Sequence, residues 1–410
     1  MNLVQAKDIE LAAFNNFDNL IGDAKSIGIA VSGGGDSMAL FHLCLEWALP
    51  QGKSIFVATV DHKLRETAAD EIAFVSKTAE ASGVPFEKLE WCDWDGSGNL
   101  QAQARDARRD LLSSWAEKNK LDLVLLGHTR DDLAETFLMR LARGSGVDGL
   151  SAMSEAFFVN QTKFIRPLLN ISRAGLRTYL GDKGLTWKED PSNEDENFDR
   201  IRIRKAKPTL DALGLTDAKL ADAAQAQARA RHALNQQMKE WLEKCATAHA
   251  LGYVTLDRKI FFGASIETQL RMMTHVFNWI TGNPYRPRLN TLKAVRDDLG
   301  NGKNGTLHGC QIISGKNSLL ICRESKAAAN DHLGQWAMDP PAATVIFSQN
   351  HLKLLENWRD YAPRQEVLLS LPTILAKDGT ALEPYIDGQW GQIFTLRRPA
   401  HEFLTTIVTH

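Results

Sequence analysis

The chain has 410 residues, of which 44% are hydrophobic and 24% charged, the composition of an ordinary globular protein. At about 100–200 residues per domain, this length predicts two to four domains, each able to bury its own core. The 48 basic and 50 acidic side chains give a net charge of −2. This balance excludes a polycation, so a nucleic acid would have to bind a local basic patch.

Strand and helix patterns alternate along the first half of the chain. Short apolar runs predict buried strands at residues 27–31, 54–60, 86–91 and 123–126. Apolar spacing predicts a helix around 72–79, and a stretch rich in Ala, Gln and Arg predicts a long helix from 100 to 119. Apolar strands separated by helices indicate an α/β fold with a parallel sheet covered on both faces. Because ligands bind such sheets at the carboxyl ends of the strands, functional motifs are expected just after strands.

The pattern changes after about Pro208. Ala-, Gln- and Leu-rich helical segments follow, and then two β-like runs at 305–313 and 318–323, which a Gly-Lys-Asn turn joins into a hairpin. The tail has short apolar runs broken by Pro and Gly, which favours a small β or α/β module. We therefore expect an α/β domain at 1–208, a mainly helical domain ending in the hairpin at 209–325, and a small module at 330–410.

The first predicted strand runs directly into Ser32-Gly33-Gly34-Gly35-Asp36-Ser37, and a helical pattern follows. A Gly-rich turn at a helix start exposes backbone N–H groups and carries partial positive charge, so it can cradle phosphate oxygens. The hydroxyls of Ser32 and Ser37 can donate further hydrogen bonds. A carboxylate repels a bare phosphate, so Asp36 is expected to hold Mg²⁺ between itself and the phosphates. A plain strand–helix turn is the alternative.

Two better-known phosphate motifs do not explain this loop. The chain has no G-x-x-x-x-G-K-[ST], which excludes a Walker-type loop. The segment from Gly144 to Gly149 matches G-x-G-x-x-G, but it follows a predicted helix and not a strand. A dinucleotide site is therefore not expected there.

The loop resembles the S-G-G-x-D-S motif of the PP-loop, or N-type, ATP pyrophosphatases, which cleave ATP between the α and β phosphates. Further motifs narrow the resemblance to the tRNA(Ile)-lysidine synthetases. They are V-D-H-K-L-R at 60–65, A-R-D-A-R at 104–108, G-H-T-R-D-D-L-A-E-T at 127–136 followed by R-G-S-G at 143–146, and D-P-S-N at 190–193. The matched region runs from Ser32 to Arg204, about half of the chain.

Four positions depart from the family pattern. Lys63 stands where Gly is usual, Gln101 where an acidic residue is common, Arg109 where Tyr is frequent, and Ile201 where Asn is usual. These positions are peripheral to the motifs. Beyond Pro208 the match is loose.

The resemblance implies an ATP-dependent ligase that forms a carbon–nitrogen bond. In that family ATP adenylates the carbonyl oxygen of the wobble cytidine in a tRNA(Ile) with the anticodon CAU. The amine of free L-lysine then attacks the ring carbon and expels AMP, and the modified tRNA reads AUA instead of AUG. The implied cofactors are ATP and Mg²⁺, and the implied partners are this tRNA and free lysine, with the domains beyond Pro208 contacting the tRNA.

The resemblance also assigns roles to individual residues. The loop, Mg²⁺ on Asp36 and the cation Arg108 would stabilise the leaving pyrophosphate. Asp132 and Glu135 lie three residues apart, and so on one face of a helix predicted from Asp131 to Leu141. They would bind the ammonium of lysine, and one would accept its proton. An acidic first turn that merely suits the helix dipole is the alternative.

The remaining candidates would contact the nucleotide or the RNA. His128 follows a strand and would contact a phosphate or the adenylated base, as would Asp61 and His62 beside the nucleotide, although each could also be structural. Basic side chains alternate at Arg200, Arg202 and Arg204, in a stretch that we interpret as extended. There they would share one side and, with Arg143, contact the RNA backbone. A solvated linker is the alternative.

Five cysteines are scattered along the chain without a C-x-x-C pair. Their number and spacing argue against a disulfide framework and against a zinc site, so a reducing cytoplasm is the expected compartment. The N-terminus lacks the pattern of a signal peptide, and no run approaches the ~20 apolar residues of a membrane span. No membrane partner is therefore expected, and a homodimer is left open.

Two other functions compete with lysidine formation. One is another PP-loop enzyme acting on RNA or on a small-molecule carbonyl. A glutamine-fed amidotransferase would need a Cys after Met1, where this chain has Asn2. The sulfur-inserting tRNA enzymes use paired or clustered cysteines, which this sequence lacks. The other is a non-catalytic RNA-binding protein, in which the phosphate loop would have decayed, whereas Ser32 to Ser37 is complete.

Overall fold

The computed structural model describes residues 6–63, 68–92, 100–189, 199–283 and 285–329, and short segments between 336 and 404. The chain divides into two compact units, Met1–Arg231 and His232–His410. The division falls later than the boundary expected near Pro208. The reason is that Leu220 and Ala224 pack into one apolar cluster with Leu133 and so belong to the first unit. The three-domain organisation stays a prediction.

The first unit alternates helices and strands, as the sequence predicts. Its helices are α1 (Ala6–Ile21), α2 (Gly35–Ala48), α3 (Ala68–Ala81), α4 (Leu100–Lys118), α5 (Arg130–Ala142), α6 (Val147–Leu150), α7 (Arg173–Asp182), α8 (Asp199–Ala212) and most of α9 (Asp217–Cys245). Its strands are β1 (Ser26–Ala30), β2 (Ser54–Asp61), β3 (Phe86–Glu90), β4 (Leu123–Leu126), β5 (Ala156–Val159) and β6 (Thr162–Ile165). All four predicted strands are present, whereas the hairpin of β5 and β6 was not predicted.

These strands form one six-stranded sheet in the order β3-β2-β1-β4-β6-β5. Every pairing is parallel except that of β5 with β6. One face packs on the cluster that includes Phe17, Phe41 and Tyr179, and the other on the cluster around Trp115. The predicted α/β fold with a doubly covered parallel sheet is confirmed. The carboxyl ends of β1, β2, β4 and β6 therefore meet at one edge.

Gly28 lies within β1, where the sheet packs closely on α4. A Cβ added at Gly28 would lie 2.6 Å from Trp115 Cζ3 and 2.8 Å from Leu121 Cδ1. Because Trp115 is buried, Gly28→Ala is expected to lower the free energy of unfolding by about 1–3 kcal/mol through overpacking. Urea denaturation measures this change. Gly181→Ala is the control, since a Cβ there meets nothing within 4 Å, and equal midpoints for the two variants would contradict the expectation.

The second unit combines helices with an antiparallel sheet. Its helices are the end of α9, α10 (Arg258–Gly263), α11 (Ile266–Thr281), α12 (Leu289–Gly300) and α13 (Ser325–Ala329). The strands β7 (Ala246–Ala248), β8 (Val254–Asp257), β9 (Gly305–Leu307), β10 (Cys310–Ser314) and β11 (Ser318–Arg323) form a five-stranded sheet in the order β7-β8-β11-β10-β9. The pair β10–β11 is the predicted hairpin.

Short strands continue in the tail. They are β12 (Trp336–Met338), β13 (Thr344–Ile346), β14 (Thr373–Leu375), β15 (Ala381–Leu382) and β16 (Phe394–Leu396), all paired antiparallel. All five cysteines are among the described residues, and all are free thiols. Among the described helices, none is both long and apolar enough to span a bilayer.

Candidate active site

The Gly-rich loop adopts the conformation that its sequence predicts. It leaves β1 after Ala30, and α2 begins at Gly35 with Gly34 as its N-cap. Gly33 has φ +89°, in the left-handed region that side chains disfavour. Since Met38 N is the first amide to reach back into the helix, donating to Gly34 O, the amides before it have no carbonyl acceptor within the helix. The loop can therefore present N–H groups to an anion.

The two serines mainly fix the shape of the loop. Ser37 Oγ donates to Gly34 O at 2.9 Å and accepts from Ser32 N at 3.1 Å, while the two hydroxyl oxygens lie 3.2 Å apart. Gly127, at the end of β4, fits against this turn, because a Cβ there would lie 3.1 Å from Ser37 Cα. The close approach joins the loop to the motif that follows β4.

Asp36 lies in the first turn of α2 and faces a basic residue that the sequence analysis did not identify. Arg173 Nε donates to Asp36 Oδ2 at 2.9 Å. Burial raises the pKa of Asp36, against the lowering by Arg173, and the nearby Asp132 and Asp131 raise it further. The carboxylate thus lies in a partly desolvated site where it needs a cation.

The donors at this site fit a magnesium ion that is shared with a substrate. Among the described residues, no three His, Cys, Asp or Glu side chains come together to enclose a metal. Mg²⁺ is commonly held by one or two carboxylates together with phosphate oxygens, and not by an all-protein cage. The single carboxylate of Asp36, beside a loop that can present N–H groups to phosphate oxygens, fits that requirement.

The helix α5 carries both predicted carboxylates, and both are buried. Thr129 caps the helix, since its hydroxyl oxygen accepts from Asp132 N, and its amide and hydroxyl each donate to Asp132 Oδ2 at 2.9 Å. Arg173 reaches Asp132 Oδ1 at 3.3 Å and Glu135 Oε1 at 3.5 Å. Burial would raise the pKa of Asp132, but Arg173, with smaller contributions from His128 and the Thr129 amide, holds that pKa below its usual range. Asp132 and Glu135 therefore share one face, as predicted, and Asp132 also caps the helix.

The prediction that residues 200–204 are extended is wrong, because they belong to the helix α8. Arg200 and Arg204 are four residues apart and face α5 together. Arg204 Nε donates to Glu135 Oε1 at 2.6 Å, and Arg200 Nε lies 4.0 Å from Glu135 Oε2. Ile201 is buried, which accounts for the apolar residue at that position.

The other two predicted RNA contacts point away from Glu135. Arg202 and Arg143 both bind Asp199 at the start of α8, Arg143 at 3.0 Å. Their side chains are about two-thirds exposed, 65% and 66%. The three arginines of α8 therefore do not form one row, because Arg202 lies on a different face of this helix from Arg200 and Arg204.

His128 lies just beyond β4, among arginines. Burial and Arg166 lower its pKa to about 3, with smaller contributions from Arg108 and Arg200, while Asp132 opposes them. Its Nδ1 is buried and has no hydrogen-bond partner among the described residues. Burial likewise lowers the pKa of Arg108, and Arg105 lowers it further. Arg108 therefore belongs to the basic surroundings of His128.

His128 is expected to make stability depend on pH. The unfolded histidine takes up a proton near pH 6.5 and the folded one only near pH 3. The buried, neutral His128 therefore contributes fully to the free energy of unfolding above pH 6.5. This contribution is lost as the pH falls from about 6.5 to about 3. Between pH 7.0 and 5.5, His128→Asn should lose about 1 kcal/mol less stability than the unmodified chain. Urea denaturation at both values tests this. The exposed His232→Asn is the control, and an equal loss in His128→Asn and the unmodified chain would refute the assignment.

Asp61 ends β2 and His62 follows it, at the same edge of the sheet. Asp61 Oδ1 accepts from Lys63 N at 2.9 Å, and the His62 ring meets Trp91 edge-on at 5.9 Å. Lys63 has φ +51°, which explains why glycine suits this position. Its ammonium lies 2.8 Å from Glu90 Oε2 and 3.4 Å from Cys92 Sγ. The structure thus brings Asp61 to the edge that carries the loop, where it contacts the Lys63 amide and, at 3.5 Å, the Lys88 ammonium.

Two arginines that sequence reasoning missed are central to the geometry. Arg173 begins α7, where a cation opposes the helix dipole, and this mismatch was the available signal. Arg166 follows β6, stacks on Phe157 at 4.1 Å and donates to Ser154 O at 2.6 Å. Arg109 contacts the same ring at 5.7 Å, a role consistent with its replacing an aromatic residue. Neither Arg166 nor Arg173 lies within a recognised motif.

Some predictions lie outside the described residues. They are the D-P-S-N motif at 190–193, Leu64 and Arg65 of the motif after β2, the side chain of Gln101, and most of the module at 330–410.

Comparisons with known proteins identify chains and a domain family that this chain resembles. The family model of the PP-loop domain matches residues 7–209. A curated tRNA(Ile)-lysidine synthase of Ruegeria pomeroyi is 36% identical over 94% of each chain, and one of Wolbachia pipientis is 33% identical over 89% of this chain and 90% of that one. A solved U34-tRNA thiolase from Methanococcus maripaludis superposes with a TM-score of 0.47 at 18% identity, covering 55% of this chain and 79% of the other.

Proposed function

Because the chain belongs to the tRNA(Ile)-lysidine synthase family, we propose that it ligates free L-lysine to the wobble cytidine of a tRNA(Ile) with the anticodon CAU. ATP first adenylates the cytidine carbonyl oxygen and releases pyrophosphate. The lysine amine then attacks the ring carbon and expels AMP. The chain is thus an ATP-dependent ligase.

One observation carries the proposal: a single guanidinium, that of Arg173, contacts Asp36 of the loop and both Asp132 and Glu135 of α5. The carboxylate suited to a metal and the pair suited to an amine therefore lie within one side chain's reach. A reaction that joins a nucleotide-activated base to an amine needs this proximity.

The nucleotide-binding part of the site would use the loop. The amides from Gly33 to Ser37 and the hydroxyl of Ser32 would bind the phosphates, with Mg²⁺ on Asp36. The ion would neutralise charge as pyrophosphate leaves. Asp61 and His62 lie at the same sheet edge and would border the nucleotide. Arg108, which lies near His128, would add a positive charge that stabilises the leaving pyrophosphate.

A cleft beside α5 supports the proposal that lysine binds there. The cleft has an empty volume of about 410 Å³, open space at its mouth included, and joins acidic, basic and apolar side chains. They are Asp131, Glu135, Asp217, Arg173, Arg204, Lys207, Leu138, Ile203, Leu210, Leu215 and Leu220. An amino acid with two ammonium groups, a carboxylate and four methylenes needs all three kinds of surface. Glu135 or Asp132 would take the proton of the attacking amine, since only the neutral amine is a nucleophile.

The RNA-binding part of the site would use the basic side chains around His128. A neutral His128 with an open Nδ1 can accept a hydrogen bond, for example from the cytidine amino group. Arg143 and Arg202 are exposed enough to contact phosphates, while Arg200 and Arg204 face Glu135 and would act inside the site. Since tRNA and ATP are cytoplasmic, that compartment is the one proposed.

Two measurements on one sample test the function. Labelled lysine should enter tRNA(Ile) with the anticodon CAU, and ATP–pyrophosphate exchange should accompany it. The methionine tRNA, which carries the same anticodon, is the control and should take up little label. Exchange without incorporation would refute lysidine formation and favour another PP-loop enzyme. Absence of both signals would favour a non-catalytic RNA-binding protein.

A further inference from the structure

Arg173 occupies an unusual position for a cation. It is the first residue of α7, and its side chain is 21% exposed. Its guanidinium contacts three carboxylates on two other helices: Asp36 at 2.9 Å, Asp132 at 3.3 Å and Glu135 at 3.5 Å. Burial lowers the pKa of Arg173, but the three carboxylates raise it beyond its usual value, so the group stays charged.

The guanidinium takes the oxygens that an incoming amine would need. Asp132 Oδ2 already accepts from the amide and the hydroxyl of Thr129, and Glu135 Oε1 accepts from Arg204. The oxygen of Asp132 that faces away from the helix cap is Oδ1, and it is the one that Arg173 binds. A second cation at the pair would therefore have to displace Arg173.

The nucleotide offers a way to move it. A cation bound at Asp36 would repel a guanidinium a few ångströms away, and triphosphate oxygens on the loop would provide Arg173 with new anionic partners. Both effects weaken its contacts with Asp36 and, because one rigid planar group makes all three contacts, with Asp132 and Glu135.

We propose that Arg173 is a positioning residue that blocks the amine site with its own guanidinium until ATP and Mg²⁺ bind at the loop. Lysine binding is then coupled to nucleotide binding, and the amine meets its carboxylates only when an activated base can form. This inference rests on the proposed function, because it takes lysine as the amine.

Titration calorimetry with L-lysine tests the coupling, with and without Mg²⁺ and a non-hydrolysable ATP analogue. In the unmodified chain the nucleotide should tighten lysine binding by about tenfold or more, within the usual range for coupled sites. Arg173→Gln should bind lysine about tenfold more tightly than the unmodified chain when nucleotide is absent, and nucleotide should then add less than about twofold. Arg177→Gln is the matched control, one turn along α7, since its partner is the exposed Glu189.

Each other outcome has a definite meaning. Equal lysine affinity with and without nucleotide in the unmodified chain overturns the role of Arg173, as does weaker nucleotide-free binding by Arg173→Gln. If the unmodified chain binds no lysine in either state, the proposed function fails as well, which separates the two failures. Should Arg173→Gln not fold, Arg173→Lys replaces it, because one ammonium cannot span three carboxylates. The lysine-induced rise in Tm without nucleotide is then the measurement, and no rise overturns the proposal.

Discussion

Asp36→Asn is expected to reduce ATP–pyrophosphate exchange by about a hundred- to a thousandfold and to abolish lysine incorporation. In the unmodified chain Arg173 Nε donates to Asp36 Oδ2 at 2.9 Å. The variant removes the charge at the loop, while its amide oxygen can still accept this hydrogen bond. The fold should therefore survive. Exchange measured with labelled pyrophosphate gives the direct readout.

Asp122→Asn is the control for that result. Asp122 lies at the opposite edge of the sheet, where its Oδ2 accepts from the amides of Lys25 and Ser26 at 2.7 and 2.9 Å. Its replacement changes the contacts at the start of β1 and leaves the loop untouched. If Asp36→Asn kept exchange within about tenfold of the unmodified chain, the metal role of Asp36 would be lost.

Glu135→Gln is expected to lower both stability and lysine use. Glu135 is 5% exposed and binds Arg204 at 2.6 Å, with Arg173 and Arg200 nearby. Removing its charge takes a carboxylate partner from Arg204 and one of three from Arg173. Breaking a buried ion pair costs about 3–5 kcal/mol, and the partial exposure of the arginines reduces this to about 2–3 kcal/mol. A fall in Tm of about 5–10 °C is the expected reading.

The same variant separates the two chemical steps. Pyrophosphate exchange should persist, because the loop and Asp36 are unchanged, whereas incorporation of labelled lysine should fall by about a hundredfold. Glu189→Gln, which loses only the exposed pair with Arg177, is the control. A stable Glu135→Gln enzyme that used lysine normally would remove Glu135 from the amine site.

The loop and the sheet could be predicted because local sequence determines them. Apolar runs place β1, β2 and β4, and three consecutive glycines before Asp36 suit only a turn with a left-handed residue, which Gly33 supplies. That Asp132 and Glu135 share one face followed from helical spacing, whereas their proposed role came from the family resemblance. These features depend on neighbours in the chain, which a sequence displays directly.

The rest depends on tertiary contacts that the sequence does not display. The alternating arginines at 200–204 suit a strand, but Ile201 is buried and Arg204 pairs with Glu135, so packing selects a helix. Arg173 is separated by 137 residues from Asp36, and no motif links them. Asp132 takes part in the helix cap and is also a proposed site residue, so an alanine there would remove the cap and the proposed role together.

The most direct test of this account is a crystal structure of the full chain with a non-hydrolysable ATP analogue and Mg²⁺. The account predicts phosphate density on the turn between β1 and α2, a metal ion at the carboxylate of Asp36, and the guanidinium of Arg173 turned toward the phosphates. An empty turn with the nucleotide bound elsewhere in the molecule would contradict it.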